Sequence, residues 1–316
     1  MKLQTTIPLS AALNQIDYNS KVLFLGSCFA ENIGEKLEYF KFQNLVNPFG
    51  IIFHPIAIEK LITRAINEVN FTENDIFYHN EQWHCFEVHS SLSNADKELF
   101  LSTLNAVIDD FKNYIFEASH LVLTLGTAWV YREIASDMVV ANCHKIPQKK
   151  FLKELLSPYD VSDALQGIEA LIKNVNPNCI IINTVSPVRH TKDGIVANSL
   201  SKARLISGVH DVIEPRKNTH YFPSFEIMMD ELRDYRFYEE DLIHPNNTAI
   251  SIIWEKFKTV WIASETEPLQ KKIDTIQKGL LHRPFNEESE GHLKFKEDLK
   301  SKISEVKYIL PQVDFN

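Results

Sequence analysis

Ser27 and Cys28 are adjacent side chains able to act as nucleophiles, and they directly follow the apolar run Val22, Leu23, Phe24, Leu25 and the glycine Gly26. Neither a hydroxyl nor a thiol attacks readily until a base takes its proton. Such a base stands far along the chain, in Glu239-Glu240-Asp241-Leu242-Ile243-His244-Pro245-Asn246. An acid three residues before a histidine can hold the ring while the histidine serves as base. The two segments together suggest nucleophile, base and orienter, the parts of an acyl-transfer site. The nucleophile is Cys28 or Ser27; the partners are Asp241 and His244. A further polar pair, Arg189 and His190, ends an apolar run that starts at Ile180, and reads as a contact for substrate or oxyanion.

The elements that must position these groups follow from the apolar pattern. Residues 21–25 predict a buried strand and residues from 31 to about 39 a helix, with a sharp turn between them. That geometry lifts a side chain from the carboxyl end of a strand and aims helix N–H groups at whatever binds there. A thiol in this position is favoured as thiolate. Further strands are expected at 42–46, 121–125 and 179–183, with a short one at 212–213. Helices are expected at 55–67, 97–116, 162–174, 198–210 and 248–262, and a stretch turning helical at 221–235. Such alternation indicates a parallel sheet covered on both faces. Residues of about 71–95 interrupt it as an insertion that can fold over the sheet edge and bring His89 to the site. The segment Asn142 to Pro147 reads as a loop, and Lys202, three residues after Ser199, as an accidental Ser-x-x-Lys match.

The chain divides into a main domain, 1–262, and an extension, 263–316, of two helical segments near 269–281 and 292–309. The extension alternates Lys with Glu around sparse apolar residues. It reads as an amphipathic hairpin packed on the core, or as an arm for oligomerisation.

These residues resemble the SGNH (GDSL-like) hydrolase superfamily, and within it the GSCFA family, named for the pentapeptide that stands here as Gly26-Ser27-Cys28-Phe29-Ala30. The resemblance covers roughly residues 20 to 262. SGNH hydrolases carry the nucleophile in a Gly-Asp-Ser turn after the first strand and take acid and base from a late Asp-x-x-His. Two more blocks give a glycine and an asparagine to the oxyanion hole. Asn47-Pro48-Phe49-Gly50 falls at the glycine block, and Leu123 to Trp129 where the superfamily has Gly-x-Asn-Asp. The resemblance implies a three-layer α/β/α sandwich with a flavodoxin-like parallel sheet. It implies an oxyanion hole from the N–H groups of Cys28 and Gly50; Asn47 of the same block is expected at the substrate, and Trp129 reads as a flat platform for a sugar ring or acyl chain, or as core. Two positions depart from the pattern. Cys28 takes the serine slot, which leaves Ser27 at the aspartate. Ala128 stands where the asparagine would, so that donor is missing.

Composition narrows the function classes. Hydrophobic content of 44% and charged content of 24% suit an ordinary globular chain of 316 residues. The net charge of −9 argues against a nucleic-acid binder, whose footprint is basic. No apolar run approaches a membrane span, and the N-terminus lacks the apolar core of a signal peptide. Cys28, Cys85, Cys143 and Cys179 are scattered, so neither a zinc site nor a disulfide framework is indicated. A reducing, cytoplasmic setting is expected, with no cofactor and no metal. The expected activity is ester hydrolysis or acyl transfer on an O-acyl ester, in the resemblance an acetyl ester of a carbohydrate or glycoconjugate. The alternative is a non-catalytic carbohydrate-binding or scaffold protein on the same fold.

Overall fold

In the computed structural model, which describes residues 4–315, β1 (Lys21–Gly26) passes through Ser27 into α1 (Cys28–Tyr39). β2 (Gln43–Val46) and α2 (Pro55–Ile66) follow. Next come a hairpin of β3 (Ile76–His79) and β4 (Gln82–Cys85) and the long α3 (Lys97–Glu117). β5 (His120–Leu125) precedes β6 (Trp129–Glu133), β7 (Met138–Val140) and β8 (Phe151–Leu155). α4 (Pro158–Val175), β9 (Ile180–Val185), α5 (Ile195–His210) and β10 (Thr219–Tyr221) complete the alternation. A short α6 (Ser224–Glu226) runs on as a π-helical turn, and α7 (Asn247–Trp261), α8 (Glu267–Leu281) and α9 (Glu290–Ile309) finish the chain.

Five strands pair in the order β10-β9-β5-β1-β2, all parallel. Two-sided burial explains the apolar runs of the inner strands. Leu23 and Leu25 of β1 face the layer of α2, α3, α4 and α5. Val22 and Phe24 face the layer of α1 and α7. Ile273, Ile276 and Val306, from α8 and α9, are fully buried in that second layer. The C-terminal helices therefore pack on the core. The chain leaves β1 toward β2 on one side and returns with β5 on the other. The carboxyl ends of β1 and β5 thus flank the crevice where open α/β sheets bind ligands. Gly26 closes β1 at φ +139°, and a Cβ there would lie 2.1 Å from the Thr124 carbonyl oxygen of β5. Only glycine lets the two backbones approach so closely.

Two local expectations change. The short edge strand is not 212–213 but β10, in register with β9 from Thr219 opposite Ile181. A 3-10 turn, Pro215–Lys217, capped by the Glu214 side chain, intervenes first. The second change is a three-stranded antiparallel sheet, β7-β6-β8, inserted between β5 and α4. The pattern reading assigns no strand there. The region expected as an insertion, about 71–95, holds the β3–β4 hairpin and a 3-10 turn at Ser90–Leu92. Among the described residues, no helix is long and apolar enough to cross a membrane.

Candidate active site

The β1–α1 turn separates the two possible nucleophiles. Ser27 is the N-cap of α1: its Oγ accepts the Phe29 N–H at 3.3 Å, and the residue is 2% exposed. An oxygen there satisfies one of the unpaired N–H groups of the helix start. Cys28, one residue on, is half-buried and faces a cavity of about 520 Å³. Burial pushes its thiol pKa up, and Glu31 adds to this; its own N–H, Lys202 and the Phe29 N–H oppose the shift. The expectation of a ready thiolate is corrected here. Desolvation outweighs the helix N-terminus, so the thiol stays protonated until a base acts.

The late loop presents the histidine expected as that base, His244. Leu242 adopts φ +57° and folds the segment back on itself. Asp241 Oδ1 accepts the N–H groups of Ile243 at 2.8 Å and His244 at 3.0 Å, and Oδ2 contacts His244 Nδ1 at 2.7 Å. The ring's hydrogen bond, then the two N–H groups, hold the Asp241 carboxyl down at about 2. An ionised Asp241 can only accept, so Nδ1 is the donor in this contact and Nε2 is left for another partner. Asn246 anchors the loop by capping α7, accepting the Ala249 N–H at 3.1 Å. The Arg189 N–H donates to Ile243 O at 3.2 Å and ties the loop to the end of β9.

The cavity brings together Ser27, Cys28, His89, Trp129, Arg189, His190 and His244. Among the described residues no hydrogen bond joins His244 to Cys28 or Ser27. Such contacts are often long without substrate and tighten on binding. Trp129 and Tyr131 of β6 and Lys153 of β8 build one wall, so the inserted sheet is part of the site. Asn142 and Cys143, read as plain loop, also line it. His89 reaches the cavity from the 71–95 segment, with Nδ1 engaged by Ser91. Among the described residues no three His, Cys, Asp or Glu side chains are grouped to hold a metal ion.

Of the two N–H groups expected at an oxyanion hole, that of Gly50 is engaged elsewhere. The Gly50 N–H donates to Asn47 O at 2.7 Å, which closes the turn and removes it from that role. Asn47 is likewise not a cavity residue. Its Oδ1 accepts the Gly26 N–H at 2.9 Å and its Nδ2 donates to Glu31 at 3.3 Å, so it braces the turn from behind. Ile51, next in the chain, lines the cavity and its N–H has no partner among the described residues, while the N–H of Cys28 faces that residue's own thiol. Ala128 is buried and its N–H donates to Ser201 Oγ at 2.7 Å. His190 occupies the space beside this strand end. A Cβ on Gly126 would lie 3.0 Å from His190 Nε2. That nitrogen is buried with no partner among the described residues. Burial, then Lys202 and His244, push its pKa down to about 4, so the ring is neutral near pH 7.

Beneath His190 lies a group the sequence reading dismissed. Lys202 is 1% exposed, and its Nζ donates to Gly126 O at 2.7 Å and Ser186 O at 2.6 Å. Burial pushes its pKa down to about 7. It joins the ends of β5 and β9, and the thiol of Cys28 senses its charge. A signal for it existed: Asn198, Ser201, Lys202, Leu205 and Val209 are spaced as one buried helix stripe.

A family model described as the GSCFA family matches residues 21–257, and one described as GSCFA domain protein, C-terminal domain, matches residues 273–316. No curated protein matches the sequence. Among solved structures, a carbohydrate esterase family 3 from Talaromyces cellulolyticus is similar at 8% identity and a TM-score of 0.37, over 80% of this chain and 98% of that one. A serine-to-alanine mutant of an acetyl esterase with acetate ion has 8% identity and a TM-score of 0.37, over 80% and 99%. A family two carbohydrate esterase from Clostridium thermocellum in complex with cellohexaose has 11% identity and a TM-score of 0.38, over 83% and 67%. At these identities and TM-scores the likenesses say nothing of what this chain does. The family match, in contrast, spans most of the sequence, from the first strand of the sheet into α7, and on it the chain belongs to the GSCFA family.

Proposed function

We propose that the protein is an esterase or acyl transferase acting on O-acyl esters through Cys28, His244 and Asp241. The observation that carries this reading is the Asp241–His244 pair, 2.7 Å apart, opening onto the same cavity as a cysteine at a helix N-terminus. In the first half-reaction His244 Nε2 takes the thiol proton and the sulfur attacks the ester carbonyl carbon. Charge gathers on the carbonyl oxygen, where the N–H groups of Cys28 and Ile51 and the neutral His190 ring supply donors. The carbon–oxygen bond then breaks, and His244 returns its proton to the leaving alkoxide. Water, or the hydroxyl of an acceptor, attacks the resulting thioester and frees Cys28. Asp241 keeps the imidazole in one tautomer and stabilises its charged form.

The resemblance to SGNH hydrolases supports an acetyl ester of a carbohydrate or glycoconjugate as substrate, and the aromatic wall of Trp129 and Tyr131 suits a sugar ring. The test is turnover of p-nitrophenyl acetate by the native protein, by Cys28→Ala and by His244→Ala, with circular dichroism to confirm the fold. Native turnover lost in both variants supports the proposal. Turnover unchanged in His244→Ala refutes it.

A further inference from the structure

The charged lining of the cavity is unlike the rest of the protein. The chain carries 42 acidic and 33 basic residues, a net charge of −9. Four charged side chains line the cavity: Lys153, Arg189, Lys192 and Asp193. Lys153 and Asp193 pair with one another. Arg189 and Lys192 remain, and among the described residues no carboxylate pairs with either. Arg189 is the informative one. It is half-buried, and its guanidinium lies 4.5 Å from the ring centre of Tyr238 and 5.6 Å from that of Tyr235. Its own N–H is bonded to Ile243, the neighbour of His244. The backbone of Arg189 is thus tied beside His244, and its cation, flanked by the rings of Tyr235 and Tyr238 and bonded to the Tyr238 hydroxyl, lacks the acid that a half-buried arginine ordinarily finds. A planar guanidinium so held presents a fork matched to the paired oxygens of a carboxylate or phosphate.

We infer that Arg189, with Lys192 at the rim, forms an anion subsite, and that the ester this protein acts on carries a negative charge near its scissile bond. The chemistry is that of a carboxylate or phosphate beside an O-acyl group. The charge belongs either to the alcohol, as in an acylated uronic acid, or to the acyl group, as in a dicarboxylic half-ester. This deepens the proposed function and rests on it for the word ester; the anion subsite itself does not.

The subsite is tested without turnover by alkylating Cys28 with iodoacetate and with iodoacetamide, reagents of similar size that differ in charge. In each the sulfur–carbon bond forms and iodide leaves. At pH 8 the iodoacetate-to-iodoacetamide rate ratio at Cys28, read by peptide mass spectrometry, is expected to exceed that of N-acetylcysteine by about tenfold, the scale of one charge-assisted contact. Arg189→Met should return it toward the free-thiol ratio, and Arg189→Lys should keep most of it. Buried Lys202 and His244 are present in all three proteins, so the difference isolates Arg189. A native ratio equal to that of N-acetylcysteine, or one unmoved by Arg189→Met, overturns the inference. Substrates then locate the charge. Mono-p-nitrophenyl succinate against p-nitrophenyl acetate tests the acyl side, and acetylated glucuronic acid against acetylated glucose tests the alcohol side. A preference in either pair that falls in Arg189→Met supports the subsite; equal kcat/KM within both pairs refutes the anionic substrate. If no ester is turned over while the iodoacetate preference persists, the esterase reading fails and the anion subsite stands.

Discussion

Replacing Lys202 by methionine removes a buried charge and two hydrogen bonds at nearly constant volume, and the two losses separate by pH. A neutral amine has two N–H groups, so Gly126 O and Ser186 O stay satisfied in either protonation state. In Lys202→Met both carbonyls lose their donor, at about 1–3 kcal/mol for each buried acceptor left unpaired. The charge acts differently. The unfolded lysine holds its proton up to about 10.5, whereas burial in the folded protein lets it go at about 7. Between those values the unfolded chain binds more protons, so the folded state gains stability as pH rises, by about 1.4 kcal/mol per unit. Below pH 7 the lysine contributes its full desolvation cost. The stability difference between native protein and Lys202→Met should therefore shift in favour of the native protein by about 2.5 kcal/mol from pH 7.5 to pH 9.5. Urea unfolding of both proteins at the two pH values reads this directly. Titrating groups that do not sense Lys202 cancel between the two proteins; Cys28, whose thiol does, is replaced by serine in both. A difference that is flat with pH would refute the buried-charge reasoning. A variant as stable as the native protein at pH 9.5 would refute the hydrogen-bond reasoning.

Ser27→Ala should cost about 1 kcal/mol as a lost helix cap while turnover survives; a folded but inactive variant would move the nucleophile to Ser27. Iodoacetamide should modify Cys28 ahead of Cys85 and Cys179, which are buried and pushed up to about 12, as peptide mapping would show; equal rates would place Cys28 in the core. His190→Ala should lower kcat by about a hundredfold with little change in KM, the usual loss of one oxyanion donor; an unchanged kcat would leave the donors to the backbone. Gly26→Ala, whose Cβ would sit 2.1 Å from a backbone oxygen, should lower the urea midpoint strongly or prevent folding, and a native midpoint would contradict the β1–β5 approach.

The parallel sheet was legible because two-sided burial writes itself as unbroken apolar runs. Val22 to Leu25, Leu121 to Leu123 and Ile180 to Ile182 mark three of its strands at the right places. Asp241 and His244 were legible because their spacing is local, and a loop of four residues can bring them together unaided. What failed depends on backbone geometry or on distant partners. Gly50 stands in the expected block, but the Asn47 turn takes its N–H. Asn47 looks like a polar contact, yet its amide is consumed by Gly26 and Glu31. Lys202 lies on the buried stripe of α5, but its acceptors come from two strands far away in sequence. The sheet of β6, β7 and β8 has short strands that alternate weakly, and only pairing with one another makes them strands.

The C-terminal helices reach the chemistry by a mechanical route. α1 has 12 residues and is therefore a rod about 18 Å long, with Cys28 at its tip and Tyr39 at its tail. The tail is gripped by α8: the Tyr39 hydroxyl donates to Asp274 at 2.9 Å, and Gln277 donates to Tyr39 O at 3.0 Å. Ile33 and Leu37 of the rod share a buried cluster with Ile273 and Ile276 of that helix. A helix bends little over three turns, so a tilt imposed at Tyr39 is delivered at the sulfur. Displacements near 1 Å at a reacting atom cost about a hundredfold in rate. The extension thus braces the tail of the helix that carries Cys28 at its start. If Cys28 is the nucleophile, substitutions of Asp274 or Gln277 in α8, far from the cavity, should change its rate of alkylation.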